Sequence, residues 1–139
     1  MQLMPSSTVV LLVPVFMLLW LCVGLGISFY ASQGWRAWAA RFAADSRPVG
    51  RCFRSPCTLC HPSRYERGAV HVVFSQAGVY LHVPNFFSRW FCRPLLIPWT
   101  KVDLLQSRFG LCIADFPDQL EVVLPSEAKH ELARYYHPA

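Results

Sequence analysis

Residues 69–83 read AVHVVFSQAGVYLHV. Val70, Val72 and Phe74 alternate with His71, Val73 and Ser75, and Val79, Leu81 and Val83 alternate with Tyr80 and His82. A period of two marks half-buried β-strands, and Gln76-Ala77-Gly78 between the two runs is a turn, so this segment predicts a hairpin. His71 and His82 then lie on adjacent strands, where they face one another and read first as barrel-surface residues.

The same pattern continues toward the carboxy terminus. Leu95 to Trp99 is a short apolar strand interrupted by Pro98, a residue confined to edges and bulges. Val102 and Leu104 follow, then Leu111 and Ile113 after Gly110, then Leu120, Val122 and Leu124 after the Pro117-Asp118 turn. Pro125-Ser126 opens a closing helix, with Ser126 as its expected N-cap and Ala128, Leu132 and Tyr135 on one face. About six short antiparallel strands with a terminal helix predict an α+β domain, a small barrel or sandwich whose open end the helix covers.

Working back toward the amino terminus, residues 48–68 are rich in Arg, Cys, Pro and Ser and show no periodicity, so a linker is expected there. Residues 34–44, GWRAWAARFAA, place Trp35, Trp38, Ala39 and Phe42 on one helical face, with Arg36 and Arg41 off it. This predicts an amphipathic helix over 31–47. Its two Trp beside Arg suit the lipid headgroup region, and docking on the following domain is the equal alternative.

Residues 9–30 carry no charged side chain. At about 1.5 Å per residue they reach roughly 33 Å as a helix, enough to cross a bilayer core. Residues 1–8 hold no Lys or Arg, and the best cleavage candidate, after Ala31, has bulky Phe29 two positions upstream. The expectation is an uncleaved transmembrane helix at 9–30 behind a tail at 1–8, not a cleaved signal.

Charge orients the span. The whole chain has 139 residues and a net charge of +5. Residues 31–67 carry seven arginines against Asp45 and Glu66, whereas residues 68–139 balance six cations with six anions. The excess lies beside the membrane segment. It favours a juxtamembrane collar facing anionic lipid over nucleic-acid binding, and by the positive-inside rule it places the carboxy-terminal domain, 69–139, on the cytoplasmic side of the inner membrane.

Tyr80-Leu81 after a Gly turn, the run Leu95-Leu96-Ile97-Pro98-Trp99-Thr100-Lys101-Val102 and the terminal helix resemble the strand motifs of pleckstrin-homology-like (PH-like) and GRAM-like domains. The GWRAWAARF stretch beside a single span resembles a group of small, uncharacterised bacterial single-pass membrane proteins that carry such a domain. The resemblance covers roughly residues 34–136. It departs from the family pattern at Phe91-Cys92-Arg93-Pro94. It implies a binding or scaffolding module and supplies no catalytic residues.

Two motifs carry chemistry. Cys57-Thr58-Leu59-Cys60-His61 matches the spacing for covalent haem attachment, and Cys52, Cys57, Cys60 and His61 together form a Cys₃His zinc set on paper. Against both, the Arg collar argues for the reducing cytoplasm and no second C-x-x-C follows, so free thiols and no cofactor are expected. The second motif is the loop Asn85 to Arg93. Phe86, Phe87, Trp90 and Phe91 with Arg89 and Arg93 make a composition suited to dipping into a headgroup region or gripping a ligand; the alternative is that the rings fold back to close the barrel. No Ser/His/Asp set, Gly-rich phosphate loop or carboxylate pair stands out. The expectation is a membrane-anchored, non-catalytic module that binds lipid headgroups or a protein partner, with a haem or zinc protein as the alternative.

Overall fold

The protein is described by a computed structural model covering residues 6–31, 33–61, 64–84, 91–115 and 118–137. Helix α1 (Ser6–Ala31) precedes helix α2 (Gln33–Phe42), and strands β1 (Cys52–His61), β2 (Arg64–Phe74), β3 (Val79–His82), β4 (Leu95–Ile97), β5 (Val102–Leu104), β6 (Gly110–Asp115) and β7 (Asp118–Val123) follow. Helix α3 (Lys129–Tyr135) closes the chain.

The seven strands form one antiparallel sheet in the order β4-β3-β2-β1-β7-β6-β5, curled into a nearly closed barrel. β1 is the hinge of this sheet. It pairs with β2 from Cys52↔Val73 to His61↔Arg64, and its second half pairs with β7 from Cys57↔Val122 to Cys60↔Gln119. The expected hairpin is present, with Val79 opposite Phe74 and His82 opposite His71. Its turn needs Gly78, which has φ of 155°, a backbone conformation that side chains with a Cβ rarely adopt.

The expected linker at 48–68 is the main correction. Most of it is β1 and the start of β2. Phe53, Ser55, Cys57 and Leu59 are buried inside the barrel, while Cys52, Arg54 and Pro56 are exposed. The alternation was there, but it was written with Ser and Cys inward and Arg and Pro outward, types that carry little strand signal. Pro56 is tolerated because pairing with β7 starts only at Cys57, so β1 has a single neighbour at that point.

Alternation sets the core. Val70 and Val72 of β2, Val79 and Leu81 of β3, Leu95 and Ile97 of β4, Val102 of β5, Leu111 and Ile113 of β6, and Leu120 and Val122 of β7 all point inward and are buried. Connectivity then sorts the loops. β1, β3 and β6 run opposite to their neighbours, so the β1–β2, β3–β4 and β6–β7 connections leave from one rim. At the other rim, Trp99 stacks near Phe74 and Tyr136, with ring centroids 6.1 and 5.9 Å away. Its Nε1–H donates to the Ser75 carbonyl at 2.7 Å. Pro98 ends β4 at Ile97, and Trp99–Lys101 form a 3₁₀ turn into β5.

The closing helix buries Ala128 and Leu132 as its sequence predicts, but Ser126 is not its N-cap. Ser126–Ala128 make a 3₁₀ turn, and Pro125 precedes it with no capping side-chain bond. The α2 expectation divides in the same way. Trp35, Trp38 and Ala39 are buried in the barrel core, so they are domain residues and do not face lipid. An apolar helical face gains from any apolar surface it meets, and the barrel rim offers one.

Candidate functional site at the α1–α2 end of the barrel

α1 contains a stretch, Ser6–Ile27, of 22 residues that is long and apolar enough to cross a membrane, and none of it is buried against the rest of the chain. Pro14 lies inside it. Apolar side chains on all sides of a helix that does not pack into its own domain fit a lipid environment.

Only residue 32 separates α1 from α2, and three contacts tie the two together with the barrel. The Arg36 guanidinium lies over the Phe29 ring, 3.8 Å from its centroid, and Nη2 donates to the Phe29 carbonyl at 2.9 Å. That carbonyl is in the last turn of α1, where helical partners run out, so Arg36 acts as a C-terminal cap. The Phe29 ring meets Phe91 edge to face at 5.4 Å. The Trp35 Nε1–H donates to the Arg93 carbonyl at 2.7 Å. Phe91 and Arg93 belong to the β3–β4 connection, so the carboxy-terminal root of that connection is fixed at the end of α1.

The far end of α2 is held as firmly. Ala43 bridges Leu95 of β4. Arg41 pairs with Asp115 and with Asp118, the latter at 3.1 Å, across the β6–β7 turn. Nothing local in the sequence points to this pairing, because the partner of the two carboxylates lies more than seventy residues away. α2 thus spans the rim from the β3–β4 connection to the β6–β7 turn, with Trp38 fully buried beneath it.

Of the residues expected to grip lipid or a partner, Arg93 is exposed beside this junction. Phe86, Phe87, Arg89 and Trp90 lie outside the described residues. Of those expected at the membrane interface, Arg36 and Arg41 are occupied by the contacts above and Phe42 packs partly on the core.

The Cys-x-x-Cys-His motif does not converge. Residues three apart on a strand point to opposite faces. Cys57 is buried inside the barrel, and Cys60 is on the outer face beside Glu121 and Cys112. Burial, with a smaller contribution from Cys60, pushes the Cys57 thiol up to about 12. Burial and then Glu121 and Cys112 raise Cys60 as well. A thiolate is the metal ligand and the nucleophile, so both shifts oppose those roles. Cys52 shares the outer face with Cys60 but lies eight positions away, roughly 26 Å along a strand. Among the described residues no three of His, Cys, Asp and Glu gather closely enough to hold a metal ion. The side chain of His61 is not among those described.

Taken together, fold and site define an α+β protein in which a nearly closed seven-stranded barrel is fastened, through a short docked helix, to a helix long enough to span a membrane. No family model, curated protein or solved structure matches the chain.

Proposed function

We propose that the chain is a single-pass, membrane-anchored binding module with no catalytic step, its PH- or GRAM-like barrel held at the cytoplasmic face of the inner membrane. The β3–β4 connection would meet anionic lipid headgroups or the exposed part of a membrane-protein partner. The observation that carries this reading is the contact of Phe91 with Phe29, locked by the Trp35–Arg93 hydrogen bond. A connection rooted at the end of the spanning helix starts at headgroup level, and its sequence supplies the aromatic rings and guanidinium groups that this region favours. The arginine excess of residues 31–67 supports both the anionic surface and the orientation. The haem or zinc alternative has the opposite facing of Cys57 and Cys60 against it.

A photo-crosslinking amino acid at position 87 in the full-length chain tests the site in native membranes. Crosslinks to lipid or to a membrane-protein partner support the reading, and adducts only within the barrel's own core refute it. A reporter fused after Ala139 tests the orientation. Activity of a periplasmic alkaline phosphatase there overturns the cytoplasmic placement.

A further inference from the structure

Arg36 uses only part of its guanidinium to hold the end of α1. One N–H of Nη2 donates to the Phe29 carbonyl at 2.9 Å, and one face of the group lies on the Phe29 ring, 3.8 Å from its centroid. The Nη1 amino group and the second N–H of Nη2 have no acceptor among the described residues. The side chain is half-buried, and its bond to Phe29 lies at the exposed surface. Arg93 stands beside it. The Trp35 indole, one residue before Arg36, binds the Arg93 carbonyl at 2.7 Å, and Phe91, two residues before Arg93, packs against the same Phe29 ring that Arg36 covers. The backbone of Arg93 is therefore fixed next to the α1–α2 joint. Its guanidinium is exposed and has no ion pair or hydrogen bond among the described residues.

Two local charges could oppose an anion here, and the structure answers both. The last carbonyls of α1 carry partial negative charge, and Arg36, bound to one of them, reverses that sign at the helix end. Asp115 and Asp118 lie at the other end of α2, where Arg41 pairs with each. Asp45, one residue past the backbone bond from Ala44 to the Pro94 carbonyl, is exposed and pairs with neither arginine.

We infer that Arg36 and Arg93 together form a site for a phosphate group at the bilayer surface, carried by an anionic lipid headgroup or by a soluble phosphate compound. The inference rests on the membrane-facing reading above and names the residues and the chemistry of recognition. A guanidinium presents paired N–H donors matched to two phosphate oxygens. One such group from α2 and one from the root of the β3–β4 connection give a doubly charged cradle of donors only. Stacking on Phe29 holds the Arg36 group in place before an anion arrives, which lowers the cost of ordering it. Because α1 ends at this point, the phosphates of the adjoining leaflet lie at the same depth. Two fixed cations favour a headgroup of net negative charge over a zwitterionic one.

The test uses the full-length chain in nanodiscs with isotope-labelled arginine. The Arg36 Nε–H is buried without an acceptor and is shielded from exchange with water, so its NMR resonance reports on the site, and its loss in R36Q assigns it. Discs of phosphatidylcholine alone are compared with discs of rising phosphatidylglycerol content and with phosphatidylcholine discs in inorganic phosphate. The expected result is a saturable shift of that resonance. A shift with phosphatidylglycerol assigns the site to headgroups, and a shift with inorganic phosphate alone assigns it to a soluble phosphate compound. R93Q, an exposed substitution, raises the anion level needed for half the shift by about fivefold, the effect of one cation near the surface. R108Q, on the β5–β6 connection at the opposite rim, leaves it unchanged. No saturable shift in any arm, an unchanged midpoint in R93Q, or an equal change in R108Q overturns the inference. The crosslink from position 87 needs neither arginine. If it still reaches lipid or a partner in that event, this inference falls alone; if it ends in the barrel's own core, the membrane-facing reading falls with it.

Discussion

Trp38 separates the two places its helix was expected to occupy. Its side chain is fully buried in the barrel core, where it packs at 5.7 Å from Phe42 and at 5.1 Å from the Arg41 guanidinium. Truncating a buried Trp to Ala costs about 3–5 kcal/mol through lost burial and the cavity left behind. For a domain of this size each kcal/mol lowers the melting temperature by roughly 4 °C or more, so W38A is expected to melt at least about 12 °C below the parent chain. W38F sharpens the test. The Trp38 Nε1–H is buried without an acceptor, and such an orphaned donor costs about 1–3 kcal/mol. Phe removes that penalty while keeping most of the ring, so W38F is expected within roughly 1 kcal/mol of the parent. Thermal melting of the full-length chain in mild detergent, followed by near-ultraviolet circular dichroism, measures both. A W38A melting point within about 2 °C of the parent would mean that the ring faces lipid or solvent, and the docked-helix account of the junction would fall.

Three further outcomes follow from other contacts. R41A leaves Asp115 and Asp118 without their cation and is expected to destabilise by about 1 kcal/mol, discounted because Arg41 is a third exposed; D115N combined with R41A should recover part of that loss in chemical denaturation, and full additivity of the two changes would count against the ion pair. Cys57, held up to about 12 by burial, keeps its proton when folded and loses it when unfolded at pH above about 9, so stability falls by up to roughly 1.4 kcal/mol per pH unit between those values; C57A should show a shallower alkaline decline, and the buried thiol should resist alkylation under native conditions while exposed Cys52 reacts. G78A places a methyl group against the Ile97 carbonyl at a backbone angle that disfavours any Cβ; a loss of more than about 2 kcal/mol is expected in denaturant titrations, and a neutral result would refute the turn geometry.

What could be read from the chain and what could not divides along the range of the interactions. Alternation within residues 69–83, the Pro98 break, the apolar face of the closing helix and the uncharged run of α1 are local patterns, written within a few residues of where they act. They were sufficient for an α+β chain with an amino-terminal helix long and apolar enough to span a membrane and an antiparallel barrel-like sheet. β1 was missed because its inward residues include Ser55 and Cys57 and its outward ones Arg54 and Pro56, so its identity rests on neighbours on both sides and not on its own propensities. The site contacts are long-range in the same sense: Arg41 reaches Asp115 and Asp118, Trp35 reaches Arg93, and Phe29 reaches Phe91. The amphipathic face of α2 illustrates the boundary best. Its residues state that one side must leave water, because apolar surface gains about 25 cal/mol per Å² wherever it is buried. That rule is indifferent between a bilayer and a barrel rim. The choice of the rim came from packing, since only the folded sheet brings Leu95, Arg93 and the β6–β7 carboxylates to the positions where one short helix can meet them all.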